Sequence, residues 1–137
     1  MSFRQLTPND YNEYLKLINE FRPTEFSEDQ FKITLVAVNK SSEIWVYEDN
    51  GELISTGTII FEHKFIFNTC IYAHIEDICV KSSYRRKGLG KLLIKHLIER
   101  CKGCYKITLD CSNLNIQFYE ACGFNLRGNQ MCILLKN

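Results

Sequence analysis

A strand-like run, Ile78-Cys79-Val80, leads into a helix-like run, Leu92-Leu93-Ile94-Lys95-His96-Leu97-Ile98, through the turn Arg85-Arg86-Lys87-Gly88-Leu89-Gly90-Lys91. That turn limits the fold more than any other stretch. Two glycines at a strand-to-helix corner bring backbone N–H groups close to a ligand, because no Cβ blocks the approach. The first helical turn leaves N–H groups unpaired and carries a partial positive charge. With three basic side chains ahead of it, the corner is a phosphate or pyrophosphate cradle. Spacing narrows the choice. A nucleotide P-loop needs G-x-x-x-x-G-K-[ST], and Gly88-Leu89-Gly90-Lys91-Leu92 has neither that spacing nor the hydroxyl. A dinucleotide fingerprint needs a third glycine where Leu93 stands. A plain loop entering a helix is the bland alternative.

The rest of the pattern predicts a mixed α/β domain rather than a doubly wound βαβ array. Phe3–Leu6 reads as a short strand, and Thr7-Pro8-Asn9-Asp10 as a helix start with a capping hydroxyl and an early acid. Tyr11, Tyr14, Leu15, Ile18 and Phe21 share one helical face. Ser27-Glu28-Asp29-Gln30 is a capping box that opens a second helix. Glu43–Tyr47 and Leu53–Phe61 read as strands joined by the turn signal Asp49-Asn50-Gly51. Ile71–Val80 is a third strand of this group. A helix over Leu89–Cys101 follows, with Leu89, Leu92, Leu93 and Leu97 expected inside. Tyr105–Asp110 is a strand, Asn115–Cys122 a short helix capped by Gly123, and Met131–Leu135 the expected last strand.

Composition excludes several classes. The 137 residues carry a net charge of +1, so no global field draws the chain to nucleic acid. No apolar run is long enough for a membrane span, and Met1–Gln5 lacks the apolar stretch of a signal peptide. Seven cysteines, an odd number, fit reduced thiols in the cytoplasm better than a disulfide framework. Cys101-Lys102-Gly103-Cys104 has no second pair at zinc-binding spacing, so no metal is expected. Without linker or repeat, residues 1–137 are expected to form a single domain.

Arg85-x-x-Gly88-x-Gly90 resembles the [Q/R]-x-x-G-x-[G/A] signature of the GNAT superfamily of N-acetyltransferases. The segments Ala73–Val80, Gly88–Ile94, Gly103–Cys111 and Phe118–Phe124 are similar to one branch, the glucosamine 6-phosphate N-acetyltransferases. The resemblance implies a GNAT fold: a central, mostly antiparallel mixed sheet splayed around acetyl-CoA, with helices on both faces. It implies acetyl transfer to the amine of glucosamine 6-phosphate, on the route to UDP-N-acetylglucosamine, by a homodimer with shared active sites. Another small amine or a protein amine as acceptor, or a non-catalytic acyl-CoA-binding module, are the alternatives.

The resemblance also assigns residues. Arg85, Arg86, Lys87, Gly88, Leu89, Gly90 and Lys91 would hold the coenzyme pyrophosphate. The backbone of Ile78, Cys79 and Val80 would line the coenzyme and supply the oxyanion N–H, and Asn115 would help hold the coenzyme arm. Tyr119 would protonate the departing thiolate, as general-acid logic requires. Glu76 and Asp77, adjacent on a strand, are expected on opposite faces; either can hold sugar hydroxyls or pass the amine proton to water. Asp110 would approach the amino group. Arg22 and Lys64 would serve the sugar phosphate, with Phe65, Ile66 and Phe67 beside it. Two positions depart from the pattern. Leu134 stands where the family carries a phosphate-binding arginine, and Phe67 where it carries a histidine. A lost charge-assisted phosphate contact costs about 1.5–3 kcal/mol.

Overall fold

The computed structural model describes residues 2–136. Five strands form one sheet in chain order: β1 (Phe3–Gln5), β2 (Ser42–Asp49), β3 (Glu52–His63), β4 (Ile71–Val80) and β5 (Lys106–Leu109). Neighbours from β1 to β4 are antiparallel, and β5 lies parallel to β4. The helices are α1 (Tyr11–Phe21), α2 (Glu28–Val38), the single turn α3 (Ile66–Thr69), α4 (Leu89–Arg100) and α5 (Ile116–Ala121). The expected capping box of Ser27 with Gln30 opens α2, and the expected helix start at Thr7 is itself a capping box, with Asp10, ahead of α1. Asn50 and Gly51 take positive φ in the β2–β3 turn, as the Asn-Gly signal requires.

Each sheet face buries its own core. On one side Leu17, Phe31 and Leu35 of α1 and α2 pack against Ile44, Val46, Leu53 and Cys79. On the other, Leu93 and Leu97 of α4 and the adjoining Cys101 cover Ile59, Ala73 and Ile75. Each fully buried aliphatic side chain contributes about 1.5–3 kcal/mol of transfer free energy. Two periodicity assignments differ from the structure. Leu92 is exposed and Ile94 takes the buried place in α4, while Leu17 is the buried residue of α1. The reason is the breadth of the stripe, since a helix that crosses a twisted sheet can present either flank of its apolar face.

Two features shape the sheet beside the glycine turn. β5 pairs with β4 only over Tyr72–Ile75, so from Glu76 onward β4 has no partner on that side and a wedge opens. Opposite Gly57, the β3–β4 register slips by one residue, because Asp77 adopts a left-handed backbone (φ 52°). That is a β-bulge, which re-aims the side chains after it.

The expected last strand, Met131–Leu135, is not formed. The segment pairs with no strand, and Met131, Ile133, Leu134 and Leu135 are 84–94% exposed. Its β-like composition is real, but the chain offers it no covered face to bury against; strand propensity expresses itself only on a half-buried surface.

Candidate active site

The glycine turn is built as a cradle. Gly88 sits at φ 81° as N-cap of α4, and a Cβ there would meet nothing within 4 Å, so the space in front of the helix is open. The first helical hydrogen bond runs from the Leu92 N–H to the Gly88 carbonyl. The N–H groups of Leu89, Gly90 and Lys91 are thus left for a ligand. Gly90 is needed for another reason: a Cβ there would lie 3.2 Å from the Phe118 ring, so its absence lets α4 and α5 close on each other. Arg85 is anchored by its Nε, which donates to the Val80 carbonyl (3.1 Å), and Lys87 lies over the Tyr84 ring. Arg86 takes a left-handed φ of 64° within the turn.

The wedge ends in carboxylates. Alternation along β4 and β5 sends Ala73, Ile75, Ile107 and Leu109 toward α4. His74, Glu76 and Thr108 therefore occupy the opposite face, with Asp110 just beyond the strand. There His74 bridges the strands: Nδ1 lies 2.7 Å from Thr108 Oγ1, and Nε2 lies 2.8 Å from Glu76 Oε1 and 3.7 Å from Asp110 Oδ2. Gln130 Nε2 donates to the same Asp110 oxygen at 2.8 Å. Asp110 is thus held by side chains and does not cap the following helix.

The bulge alters the expectation for the adjacent acids. Strict alternation puts Glu76 and Asp77 on opposite faces. Across the slip, however, Ile78 packs on the α4 side and Cys79 on the α1 side. Asp77 feels burial first and then the Glu76 charge, both raising its pKa, while Arg22 acts in the opposite sense. Tyr14 of α1 feels Asp77 as well, and burial with that charge pushes its phenol up to about 12. Both acids thus lie toward the α1 side, where the Arg22 charge acts on Asp77.

Tyr119 lies on α5, edge-on to Phe118 and Phe124. Burial, and then the neighbouring Cys111 and Cys122, raise its pKa, so the phenol keeps its proton at neutral pH. Asn115 ends the short turn before α5 and makes no side-chain cap bond, which leaves its amide available. Cys79 contributes backbone only, since its side chain is buried and its thiol donates to the Leu17 carbonyl.

One predicted group stands apart. Lys64, Phe65, Ile66 and Phe67 follow β3 at the end where β4 and β5 begin, whereas Glu76 and Asp110 lie toward the other end. Glu76 stands five positions beyond Ile71 along the strand, a span of about 17 Å at the usual rise per residue. Lys64 is held by Glu62 (3.2 Å) and the Tyr72 ring, and Phe67 stacks on Tyr105 (4.4 Å between centroids). Two clefts of about 430 Å³ lie away from the wedge, one along Asn39–Glu43 and one beside Phe3 and His96. Neither gathers the glycine turn with the carboxylates. His74, Thr108 and Gln130 were not singled out in the sequence, although His74 and Thr108 each stand two residues before a selected acid, on the same strand face.

The profile of the acetyltransferase (GNAT) family matches residues 7–124. Glucosamine 6-phosphate N-acetyltransferase 1 of Dictyostelium discoideum is 37% identical over 143 aligned positions, covering 98% of this chain and 91% of that protein. The crystal structure of glucosamine-6-phosphate N-acetyltransferase from Arabidopsis thaliana superposes with a TM-score of 0.93 at 32% identity, over 98% of both chains. An acetyltransferase of Trypanosoma brucei superposes with a TM-score of 0.89 at 30% identity, over 98% of this chain and 99% of that one.

Proposed function

Because the chain belongs to the acetyltransferase (GNAT) family, we propose that it is an acyltransferase that moves the acetyl group of acetyl-CoA to the amine of glucosamine 6-phosphate. The observation that carries the reading is the wedge itself. A pyrophosphate cradle at Gly88–Lys91 flanks one side, and Glu76 and Asp110 flank the other, with Tyr119 on the helix that closes the cradle. The relatives' names supply the acceptor.

The residues fit the coenzyme. Three unpaired helix N–H groups and Arg85, Arg86, Lys87 and Lys91 meet the pyrophosphate, and Asn115 meets the coenzyme arm. The open edge of Ile78–Val80 offers an N–H to the thioester oxygen as it becomes an oxyanion. On the acceptor side, Glu76 takes a proton from the ammonium, while Asp110 and Asp77 orient the amine and the sugar hydroxyls. The free amine attacks the thioester carbon; the C–N bond forms, the C–S bond breaks, and Tyr119 gives its proton to the thiolate. Solvent then carries the surplus proton of the new amide nitrogen to the Tyr119 phenolate and receives the one on Glu76. A phenol held above its ordinary range is protonated at the moment it is needed.

Arg22 is the cation beside the acids. Lys64 and Phe65–Phe67 are too far along the sheet to reach the same chain's carboxylates. A homodimer with shared active sites answers this, bringing the hairpin of one copy to the wedge of the other. The uncovered Met131–Leu135 run supports it, because a second copy would give that segment the partner it lacks. Within this reading residues 1–137 act as one N-acetyltransferase domain, working on small molecules rather than nucleic acid or membrane. No helix among the described residues is long and apolar enough to cross a membrane. Seven free cysteines fit a cytoplasmic, reducing compartment.

The test is thiol release from acetyl-CoA with glucosamine 6-phosphate, glucosamine and a panel of small amines and peptides. Turnover is expected with the phosphosugar. Turnover only with another amine would replace the acceptor. Tight acetyl-CoA binding without release for any amine would make the chain a binding module.

A further inference from the structure

His74 is used by nothing in the scheme above, yet it is the most tightly held polar side chain at the wedge. Both ring nitrogens are engaged at hydrogen-bond distance, Nδ1 to Thr108 and Nε2 to Glu76. Ionised carboxylates only accept, so Nε2 must carry the proton it shares with Glu76 Oε1. In the neutral ring Nδ1 then has a lone pair, and the Thr108 hydroxyl donates to it. The tautomer is fixed by chemistry: Thr108 O–H to Nδ1, and Nε2–H to Glu76.

Strand pairing makes this arrangement rigid. His74 and Thr108 are direct cross-strand partners in the last stretch where β4 and β5 still pair. One pair later the strands separate, and Glu76 enters the wedge alone. Its side chain is 44% exposed, and without a partner its carboxylate would sample several rotamers.

From this geometry we infer that His74 is a positioning residue that clamps Glu76 Oε1 and leaves the second carboxylate oxygen free for the amine. Thr108 holds the clamp in the right tautomer. This rests on the reading of Glu76 as the group that takes the amine proton. The other charged groups near Glu76 are Asp77 on its own strand and, across His74, Asp110; Arg22 acts on Asp77, and all three are retained in the test.

The experiment compares His74→Ala, His74→Gln, Thr108→Val and Glu76→Gln in the full-length protein. It measures kcat and KM for both substrates, acetyl-CoA binding by calorimetry, melting temperature, and the pH dependence of kcat/KM for glucosamine 6-phosphate. His74→Ala is expected to lower kcat/KM for the phosphosugar about 10- to 100-fold, by loss of orientation, with acetyl-CoA affinity within about twofold. The ionised carboxylate loses a donor in this variant, so the acidic limb is expected to move to higher pH. His74→Gln, whose amide can donate from nearly the same place, is expected to recover most of the rate and return the limb. Thr108→Val is expected to cost about threefold to tenfold, with a smaller limb shift.

An unmoved acidic limb in His74→Ala would overturn the inference while leaving Glu76 as base, provided Glu76→Gln is still inactive. A loss in His74→Ala that follows melting temperature or acetyl-CoA affinity would likewise reduce His74 to a structural role. If Glu76→Gln kept full activity, the proposed base itself would fall, and the clamp with it.

Discussion

The coenzyme side and the acceptor side of the wedge are built by different means. On the coenzyme side the pyrophosphate cradle lies within one short stretch: Gly88 opens the helix, Gly90 admits Phe118, and Arg85 is tied back to Val80. On the acceptor side the parts come from distant positions. His74 and Glu76 lie on β4, Thr108 and Asp110 on or beside β5, Arg22 after α1, and Gln130 in the unpaired tail. Lys64 is at the other end of the sheet, and the apolar tail has no cover. A pyrophosphate can be recognised by local backbone, whereas an amino sugar needs side chains gathered by tertiary structure.

The largest expected effect breaks the comparison if it fails. Removing residues 131–137 is expected to lower acetyl transfer to glucosamine 6-phosphate by about 100-fold or more through lost acceptor positioning. Acetyl-CoA affinity should stay within about threefold, because the cradle's donors are local backbone groups. Calorimetry against thiol release separates the two, and sedimentation of the parent and truncated proteins tests the dimer proposed above. Equal losses on both sides would mean that the coenzyme side is not self-contained. Next in size is Tyr119→Phe. It is expected to lower kcat about 10- to 100-fold, leaving KM for the phosphosugar nearly unchanged. In the parent protein the basic limb of kcat should lie above the ordinary phenol range, since burial raises the Tyr119 pKa. In the Phe variant that limb should vanish.

The same division explains what could be read from the sequence. Local signals were legible: the Ser27 capping box, the helix start at Thr7, the Asn-Gly turn, the left-handed Gly123 after α5 and the glycine turn that opens α4 are set by residues a few positions apart. Alternation within β4 misled at Glu76 and Asp77. A bulge arises from pairing between strands, which no period within one strand reveals. The unformed strand at Met131–Leu135 has the same origin, since its apolar pattern predicts burial without saying against what. His74 was passed over because its role exists only once Thr108 of β5 is opposite it.

Gly57 joins the two sides and gives a smaller, sharper test. A Cβ there would lie 2.7 Å from Ile78 Cδ1 and 2.8 Å from Leu97 Cδ1, in the core beneath α4. Those methyls must shift, and overpacking of this kind costs about 1–3 kcal/mol. Gly57→Ala is thus expected to lower the melting temperature by about 3–8 °C. Ile78 follows Asp77 in the bulge, so the strain reaches the acids before it reaches the cradle. KM for the phosphosugar should therefore rise more than KM for acetyl-CoA. A variant with both constants raised equally would show that the bulge positions the two sides together.

The smallest effect serves as the control that belongs to neither side. Burial opposes ionisation of Asp10, but hydrogen bonds from Arg4 and from the Thr7 backbone and hydroxyl outweigh it and hold the carboxyl below its usual range. Arg4 meets it through two bonds of 2.9 Å. A carboxyl whose folded pKa is depressed stabilises the protein above its unfolded pKa, near 4 (about 3.9 for aspartate), and that contribution fades as pH falls through the lower folded value. Arg4 is partly exposed (38%), so the pair is discounted for screening and is worth about 1 kcal/mol. Asp10→Asn should therefore melt a few degrees lower than the parent at pH 7, and the difference should shrink steadily toward pH 3. The pair ties β1 to the turn before α1, far from the wedge. Kinetic constants for both substrates should therefore be unchanged at 25 °C. A change in either would mean that global stability alone can move them, and the contrast between cradle and acceptor side would then have to be redrawn at matched stability.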